Sequence, residues 1–172
     1  MNFAVIGSGG REHSICFKLK QSPKIKRLIC IPGNAGTREI AENINININN
    51  FDEILAVIKK FKIDVVIVGP EEPLVNGIVD FLKNEGIRVL GPDKFSSQLE
   101  GSKAFMKNLC KKNNIPTARF GIFEDFKNAC DFLSKSKIPI VVKADGLASG
   151  KGVSICKSQN EAKIKIKEII EG

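Results

Sequence analysis

The sequence contains neither tryptophan nor tyrosine, and His13 is its single histidine. Proteins that bind single-stranded nucleic acid stack bases on aromatic rings, so the shortage of such rings weighs against that class. The net charge of +8 would suit a nucleic acid, but the lysines are dispersed along the chain and alternate with apolar residues, as in 164–167. We therefore expect no nucleic-acid partner. A lone histidine also leaves no pattern for a Ser-His-Asp or Cys-His catalytic device.

Long apolar runs and closely spaced cysteines are missing as well. No apolar run approaches the ~20 residues that span a bilayer, and the first residues lack the basic segment and apolar stretch of a signal peptide. The five cysteines are odd in number and scattered, without the spacing of a zinc site or a redox pair. We expect reduced core thiols, no membrane partner and a cytoplasmic location.

Short apolar strands alternate with amphipathic helices up to about residue 100, which predicts an α/β fold with a largely parallel sheet. The alternating Ile/Asn tract at 44–50 is interpreted as a half-buried strand that leads into a helix cap at Asn50 or Asp52. Loops with glycine or proline follow the strands, at the edge where open α/β sheets bind ligands. The other predicted strands are 3–6, 27–31, 64–68 and 87–90, and the predicted helices are 11–21, 51–61 and 74–84.

The pattern changes after about residue 100, so we expect a first domain over 1–100 and a second over 101–172. In the second domain, helices are predicted at 103–113, 126–136 and from 160 to the end, and strands at 119–123, 138–143 and 152–156. No further strand follows the last helix to pack against it. We interpret the second domain as truncated.

A glycine turn at residues 7–10 joins the first strand to the first helix. Its glycines let the backbone approach a ligand, and free amides at a helix start favour an anion. A dinucleotide site needs a third glycine where Glu12 stands, and an acidic end to the second strand, which instead ends in Pro32 and Gly33. We predict a site for a single phosphate with Arg11 beside it. The alternative is a tight turn without a ligand.

A second glycine-rich loop, at 144–151, lies between two predicted strands. It is not a Walker A loop, which joins a strand to a helix; moreover, only three residues separate Gly146 from Gly150, and Gly152 replaces the magnesium-binding hydroxyl. We predict a basic hairpin that folds over a triphosphate, with Lys143 and Lys151 meeting phosphate oxygens. The alternative is a hairpin loop with solvated lysines.

Six stretches, in the same order, resemble the phosphoribosylamine–glycine ligase family of the ATP-grasp superfamily. Together they span essentially the whole chain, and six in register are far more specific than any one. Small departures occur at Glu72 and Ser149, where a small apolar residue is more usual. The stretches are GSGGREH at 7–13, PGNAGT at 32–37, GPEEPL at 69–74, GP at 91–92, LEGSKAF at 99–105 and KADGLASGKGV at 143–153.

The resemblance implies a Rossmann-like N-terminal domain, then the beginning of an ATP-grasp domain, and it implies an activity. ATP would convert the glycine carboxylate to an acyl phosphate, which the amine of 5-phosphoribosylamine attacks to give glycinamide ribonucleotide, ADP and phosphate. A closing lid would exclude water. The Mg²⁺ ligands, much of the adenine pocket and a C-terminal domain would lie beyond Gly172. We therefore expect no catalytic residue and no metal ligand in this portion, no turnover by this chain alone, and a monomer.

Site residues follow from the resemblance position by position. The sugar-phosphate set has Gly9, Gly10 and Arg11 on the phosphate of phosphoribosylamine, Asn34 and Thr37 lining the same cleft, and Glu71 accepting ribose hydroxyls. The ATP set has Lys103 and Lys143 on the phosphates, with Gly150, Lys151 and Gly152 as the lid. Two other hypotheses stay open: another ATP-grasp ligase or carboxylase with a different acceptor, and a non-enzymatic module that binds nucleotides or nucleic acid.

Overall fold

The computed structural model describes residues 1–147 and 152–172, which form two compact units, Met1–Gly101 and Ser102–Gly172. The first unit is built on a five-stranded sheet in which every pairing is parallel, so the predicted α/β fold is confirmed. The strands are β1 (Asn2–Gly7), β2 (Arg27–Pro32), β3 (Glu42–Asn43), β4 (Val65–Val68) and β5 (Arg88–Leu90), in spatial order β3-β2-β1-β4-β5. The helices are α1 (Gly10–Lys20), α2 (Ala35–Arg38), α3 (Phe51–Lys60), α4 (Glu71–Asn76), α5 (Ile78–Asn84) and α6 (Lys94–Gly101).

Both faces of the central strands are covered, which is why residues 3–6, 28–31 and 65–68 are all apolar. On one face, Ile6 of β1 and Ile31 of β2 pack in a cluster with Ile54 of α3 and Leu82 of α5. On the opposite face, the buried Val5, Leu28 and Cys30 pack with Cys16 of α1. All five cysteines are free thiols. Cys16, Cys30 and Cys156 are buried, as expected for core thiols, whereas Cys110 and Cys130 are only partly buried.

The order of the strands creates a crevice between β1 and β4. From β1 the chain runs through α1 to β2 and β3 on one side, and it then returns to β4 and β5 on the other side. Since the connections after β1 and β4 leave in opposite directions, their loops separate at the carboxyl ends of these strands. The glycine turn at 7–10 and the segment 69–71 lie at this point.

The predicted strand at 44–50 is wrong. Only Glu42 and Asn43 pair with β2, and the next residues have no regular structure after the amide of Ile44 donates to the carbonyl of Cys30, 2.9 Å away. The three isoleucines of the tract are half-buried against the core while the alternating asparagines are exposed. Pro32 has no N–H to donate, so the hydrogen-bond ladder between β2 and β3 ends there. The side chains of the tract therefore alternate between core and solvent although its backbone has no strand partner. The predicted cap is confirmed, because Asn50 accepts a hydrogen bond from the amide of Glu53.

The predicted helix at 74–84 is two helices. α4 begins earlier, at Glu71, and Pro73 is tolerated because it lies in the first helical turn. Gly77, with φ +97°, adopts a left-handed conformation that separates α4 from α5. No element was predicted at 94–101, where the structure has α6.

The second unit contains an antiparallel hairpin covered by helices. Its elements are α7 (Lys103–Lys112), α8 (Phe126–Ser134), β6 (Ile140–Lys143), β7 (Val153–Cys156) and α9 (Gln159–Glu171). β6 and β7 pair with Lys143 opposite Val153, so the predicted strand pair on either side of the glycine-rich loop is confirmed. Leu133, Cys156 and Ile166 are at the centre of its core.

The predicted strand at 119–123 is wrong, since this stretch has no regular structure. Its apolar residues are used for aromatic contacts instead of strand pairing. The rings of Phe123 and Phe132 lie 5.3 Å apart, and the guanidinium of Arg119 lies over the ring of Phe132. None of the helices in the described part of the chain has the length and apolar character needed to cross a membrane.

Candidate functional site

The side chain of Glu12 packs against the first glycine turn. This side chain is only 4% exposed, and one carboxylate oxygen accepts a hydrogen bond of 2.6 Å from the amide of Gly9. The carboxylate fills the space beside two glycines: a Cβ at Gly7 or at Gly69 would lie 2.6 Å from the Glu12 carboxyl carbon. These glycines therefore make room for a buried carboxylate as well as for a turn. The amides of Gly10 and Arg11, in the first turn of α1, have no acceptor within the helix and are available to an anion.

Arg11 bridges the crevice between β1 and β4. Its guanidinium donates one hydrogen bond to the carbonyl of Gly69 and another, of 3.0 Å, to the carboxylate of Glu71. The backbone amide of Glu71 itself and the guanidinium both lower the pKa of the Glu71 carboxyl, while the hydrogen bond to Glu71 raises the pKa of Arg11. The two side chains remain 59% and 40% exposed, so the ion pair adds at most ~1 kcal/mol. A phosphate dianion can compete for such a guanidinium.

Asn34 links the loop after β2 to the glycine turn. Its side-chain amide donates to the carbonyl of Ser8 at 2.8 Å, and its side-chain oxygen accepts from the amide of Thr37 at 2.9 Å. The hydroxyl of Thr37 in turn accepts a hydrogen bond of 2.7 Å from the backbone amide of Asn34, which completes a capping box at the start of α2. Thr37 is fully buried, and Asn43 restrains it further, since the Thr37 hydroxyl donates to the side-chain oxygen (Oδ1) of Asn43 at 2.9 Å. Thr37 therefore fixes the position of Asn34 through these hydrogen bonds.

Two neighbouring clefts of about 740 Å³ each open at this edge of the sheet. Gly9, Gly10, Arg11 and Glu71 all line the first cleft, and residues 45–48 form another part of its wall. Asn34 lines the second cleft, together with Arg38 and Glu42 among others, and Thr37 lines neither. The structure therefore brings four of the six predicted sugar-phosphate residues together in one cleft. The wall at 45–48 was missed, because its alternating pattern was interpreted as a strand.

Lys103, in the second unit, begins α7 beside the glycine-rich loop. Its amine donates to the carbonyl of Gly146 at 2.8 Å. The carboxylate of Asp145 accepts hydrogen bonds from the amide of Lys103 (2.6 Å), the amide of Ala104 (3.2 Å) and the hydroxyl of Ser102 (2.9 Å). Burial alone would raise the pKa of Asp145, but these hydrogen bonds outweigh it and the pKa is lowered. Asp145 was missed as a site residue, because no local pattern connects it with residues 102–104.

Lys143 ends β6 with an exposed side chain, and Val153 lies opposite it on β7. The next residue closes the hairpin, since the amide of Ala144 donates to the carbonyl of Gly152 at 2.8 Å. Gly152 has φ +81°, which favours glycine. The predicted lid residues Gly150 and Lys151 lie outside the described residues. Within 1–147 and 152–172, no group of three or more His, Cys, Asp or Glu side chains is placed to hold a metal ion.

Two family descriptions match the chain from end to end. Residues 1–100 match the N domain of phosphoribosylglycinamide synthetase, and residues 101–172 match its ATP-grasp (A) domain. The chain belongs to the phosphoribosylglycinamide synthetase family. The resemblance inferred from the six sequence stretches is thereby confirmed.

Relatives of the phosphoribosylglycinamide synthetase family are similar over the same region. Phosphoribosylamine–glycine ligases of Clostridium acetobutylicum and Mesorhizobium japonicum are 44% and 45% identical to this chain over 97% and 100% of its length. The chain spans about 40% of the length of these curated relatives. The crystal structure of phosphoribosylamine–glycine ligase from Thermotoga maritima matches the whole chain, and 41% of that protein, with a TM-score of 0.79 at 33% identity. N5-carboxyaminoimidazole ribonucleotide synthetase from the same organism shares the fold at 21% identity, with a TM-score of 0.72 over 99% of this chain and 44% of its own.

Proposed function

We propose that this chain supplies the sugar-phosphate site and part of the ATP site of a phosphoribosylamine–glycine ligase. In the proposed reaction, ATP activates the carboxylate of glycine as an acyl phosphate, and the amine of 5-phosphoribosylamine displaces the phosphate to form the amide of glycinamide ribonucleotide. The observation that carries the proposal is the first cleft. It joins a helix start, an arginine and a carboxylate at the switch point of the sheet, in a chain that matches this family throughout.

The first cleft suits a sugar phosphate in charge and in geometry. In our proposal the phosphate binds the amides of Gly10 and Arg11 and takes the Arg11 guanidinium, which offers a planar pair of donors. Glu71, released from Arg11, then accepts hydrogen bonds from ribose hydroxyls. Gly9 acts by shaping the turn, because its amide already donates to Glu12. Asn34 and Thr37 hold the turn in place through the carbonyl of Ser8.

For ATP, we propose that the amines of Lys103 and Lys143 meet the phosphates, with Gly150, Lys151 and Gly152 as the lid. Both amines belong to residues next to the glycine-rich loop: Lys103 through its hydrogen bond to Gly146, and Lys143 as the residue before it. An ammonium group carries three donors, so the Lys103 amine can keep Gly146 and still bind a phosphate oxygen. We propose Mg²⁺ as the companion of ATP, held by ligands outside the described residues.

Calorimetric titration with ribose 5-phosphate, a stable analogue of phosphoribosylamine, tests the sugar-phosphate site. We expect Arg11→Ala to weaken binding roughly tenfold or more, because a charge-assisted pair to the phosphate is lost. Arg27→Ala is the matched control, since it removes the same charge at the start of β2, the opposite end of the sheet. Absence of binding by the unchanged chain, or equal affinities of wild type and Arg11→Ala, would contradict the proposal.

Titration with ATP tests the second site. Lys143→Ala should weaken ATP binding roughly tenfold or more, because the exposed amine at the end of β6 is removed. Lys137→Ala serves as the control, since it removes an exposed lysine from the loop before β6. If both variants bind ATP as the wild type does, the assignment of Lys143 is wrong.

A further inference from the structure

Four hydrogen bonds connect the start of α7 with residues 145–146 of the glycine-rich loop. Three run toward the loop, from the Ser102 hydroxyl and the amides of Lys103 and Ala104 to the carboxylate of Asp145. The fourth runs from the Lys103 amine to the carbonyl of Gly146. We call this set, formed by residues 102–104 and 145–146, the α7 clasp. Both sides of it belong to the second unit.

The α7 clasp goes beyond ordinary helix capping. Ser102 already caps α7, because its side-chain oxygen accepts from the amide of Phe105 at 3.0 Å. Asp145 takes up two further amides of the first turn, where the helix dipole favours a negative charge. A carboxylate brought from 42 residues away thus occupies the place where an anion would otherwise bind the start of α7.

Occupation of the helix start has a consequence for Lys103. The first amides of α7 are committed to Asp145 and cannot also bind phosphate oxygens. The Lys103 amine is held on the Gly146 carbonyl, two residues after Ala144, which closes the hairpin onto Gly152. The hydrogen bond to Gly146 therefore restricts the Lys103 side chain before any phosphate binds. Ordering a long side chain without such a bond costs up to ~2 kcal/mol of conformational entropy.

We propose that Asp145 is a positioning residue, which holds residues 145–146 on the start of α7 and thereby fixes the Lys103 amine beside Gly146 for a nucleotide phosphate. The phosphate part of this inference rests on the proposed function, whereas the effect on Lys103 does not. Without Asp145, residues 145–146 leave α7, Gly146 moves away from the amine, and the Lys103 amine becomes free in solvent.

Competitive acylation of lysine amines, quantified at each site by mass spectrometry, tests the clasp on the 172-residue chain. In Asp145→Ala we expect the labelling rate of Lys103 to rise roughly fivefold, the effect of losing a hydrogen bond that holds the amine. Asp145→Asn keeps one acceptor oxygen and should fall between wild type and Asp145→Ala. The rate at Lys163, an exposed lysine of helix α9 outside the α7 clasp, serves as an internal reference.

Asp125→Ala is the matched control variant. Asp125 caps α8 by accepting from the amide of Asn128 at 2.8 Å, so its loss removes a comparable cap in the same unit without touching the α7 clasp. The proposal requires that Asp125→Ala leave the Lys103 rate unchanged. A rise in both variants would mean general loosening and would overturn it, as would an unchanged Lys103 rate in Asp145→Ala and Asp145→Asn.

The same assay with added ATP separates this inference from the proposed function. Protection of Lys103 by ATP in the wild type, reduced in Asp145→Ala but not in Asp125→Ala, supports both. An increased Lys103 rate in the Asp145 variants, without any protection by ATP in the wild type, supports the clasp and contradicts the ATP role of Lys103. Protection that is equally strong in wild type and Asp145→Ala overturns the positioning role.

Discussion

Replacement of Gly69 by alanine tests the packing at the base of the first cleft. A Cβ at Gly69 would lie 2.6 Å from the carboxyl carbon and 2.8 Å from the Cγ of Glu12, well inside the 3.4 Å at which ordinary contacts begin. The Glu12 carboxylate must then swing away and abandon the amide of Gly9. Gly69→Ala should therefore destabilise the first unit through a residue that is distant in sequence.

The size of the effect follows from two opposing contributions. Loss of a hydrogen bond to a charged group costs ~1.5–3 kcal/mol, and replacing glycine by alanine lowers the entropy of the unfolded chain, which returns ~0.4–1 kcal/mol. We expect a net loss of about 1–2 kcal/mol in the free energy of unfolding, measured by urea denaturation monitored by circular dichroism. Gly10→Ala is the control, because its Cβ would have no neighbour within 4 Å, and it should be neutral or slightly stabilising.

A double-mutant cycle with Glu12→Ala identifies the cause. Once the Glu12 carboxylate is absent, the Cβ at Gly69 has space, so Gly69→Ala should then be neutral or stabilising. The two substitutions should therefore be non-additive by ~1.5 kcal/mol or more. Additive effects, or a stable Gly69→Ala variant in the presence of Glu12, would refute the role assigned to the buried carboxylate.

Three further predictions concern single groups of the first unit. The pKa of Glu71 lies below its usual 4.5, so above pH 4.5 its ion pair should make the wild type more stable than Glu71→Gln by less than ~1 kcal/mol. This difference in the free energy of unfolding should disappear as the pH falls through the lowered pKa. Urea denaturation at several pH values measures the difference, and a difference that grows with acid would contradict the prediction. Thr37→Val should cost ~1–3 kcal/mol in the same denaturation assay, because the part-buried backbone amide of Asn34 loses its acceptor; a neutral effect would be inconsistent with the capping box. A hydrogen bond to Cys30 and burial raise the pKa of Cys16, so a thiol reagent at pH 8 should modify Cys16 only on unfolding, and rapid native modification would argue against its burial.

Apolar patterns predicted the central part of the fold. The strands at 3–6, 27–31 and 64–68 are apolar runs apart from the charged residues Arg27 and Asp64 at their starts, as burial on both faces requires, and each is present. The tract at 44–50 shows where such patterns fail. Its alternation indicates which side chains face the core, but it does not indicate whether the backbone has a neighbouring strand to pair with. Gly77 shows a second cause, because a left-handed glycine can split a helix whose side-chain pattern is continuous.

The candidate site was predictable where residues directly follow strands. Arg11 and Glu71 come just after β1 and β4, and the parallel sheet brings these ends together. Glu12 was not predicted, because a charged residue is buried only when distant residues make space for it, here Gly7 at the end of β1 and Gly69 directly after β4. Asp145 is similar, since its partners at the start of α7 precede it by about 40 residues.

The measurement that tests the account most directly is an amide correlation spectrum of the labelled chain during titration with ribose 5-phosphate. We predict the largest shifts at the amides of Gly10 and Arg11 and at the Arg11 side chain, with Gly9 moving less because its amide is held by Glu12. Residues of the second cleft such as Arg38 should change little. Shifts concentrated in the second cleft or in residues 102–147, or no shifts at all, would contradict a sugar-phosphate site on the first glycine turn.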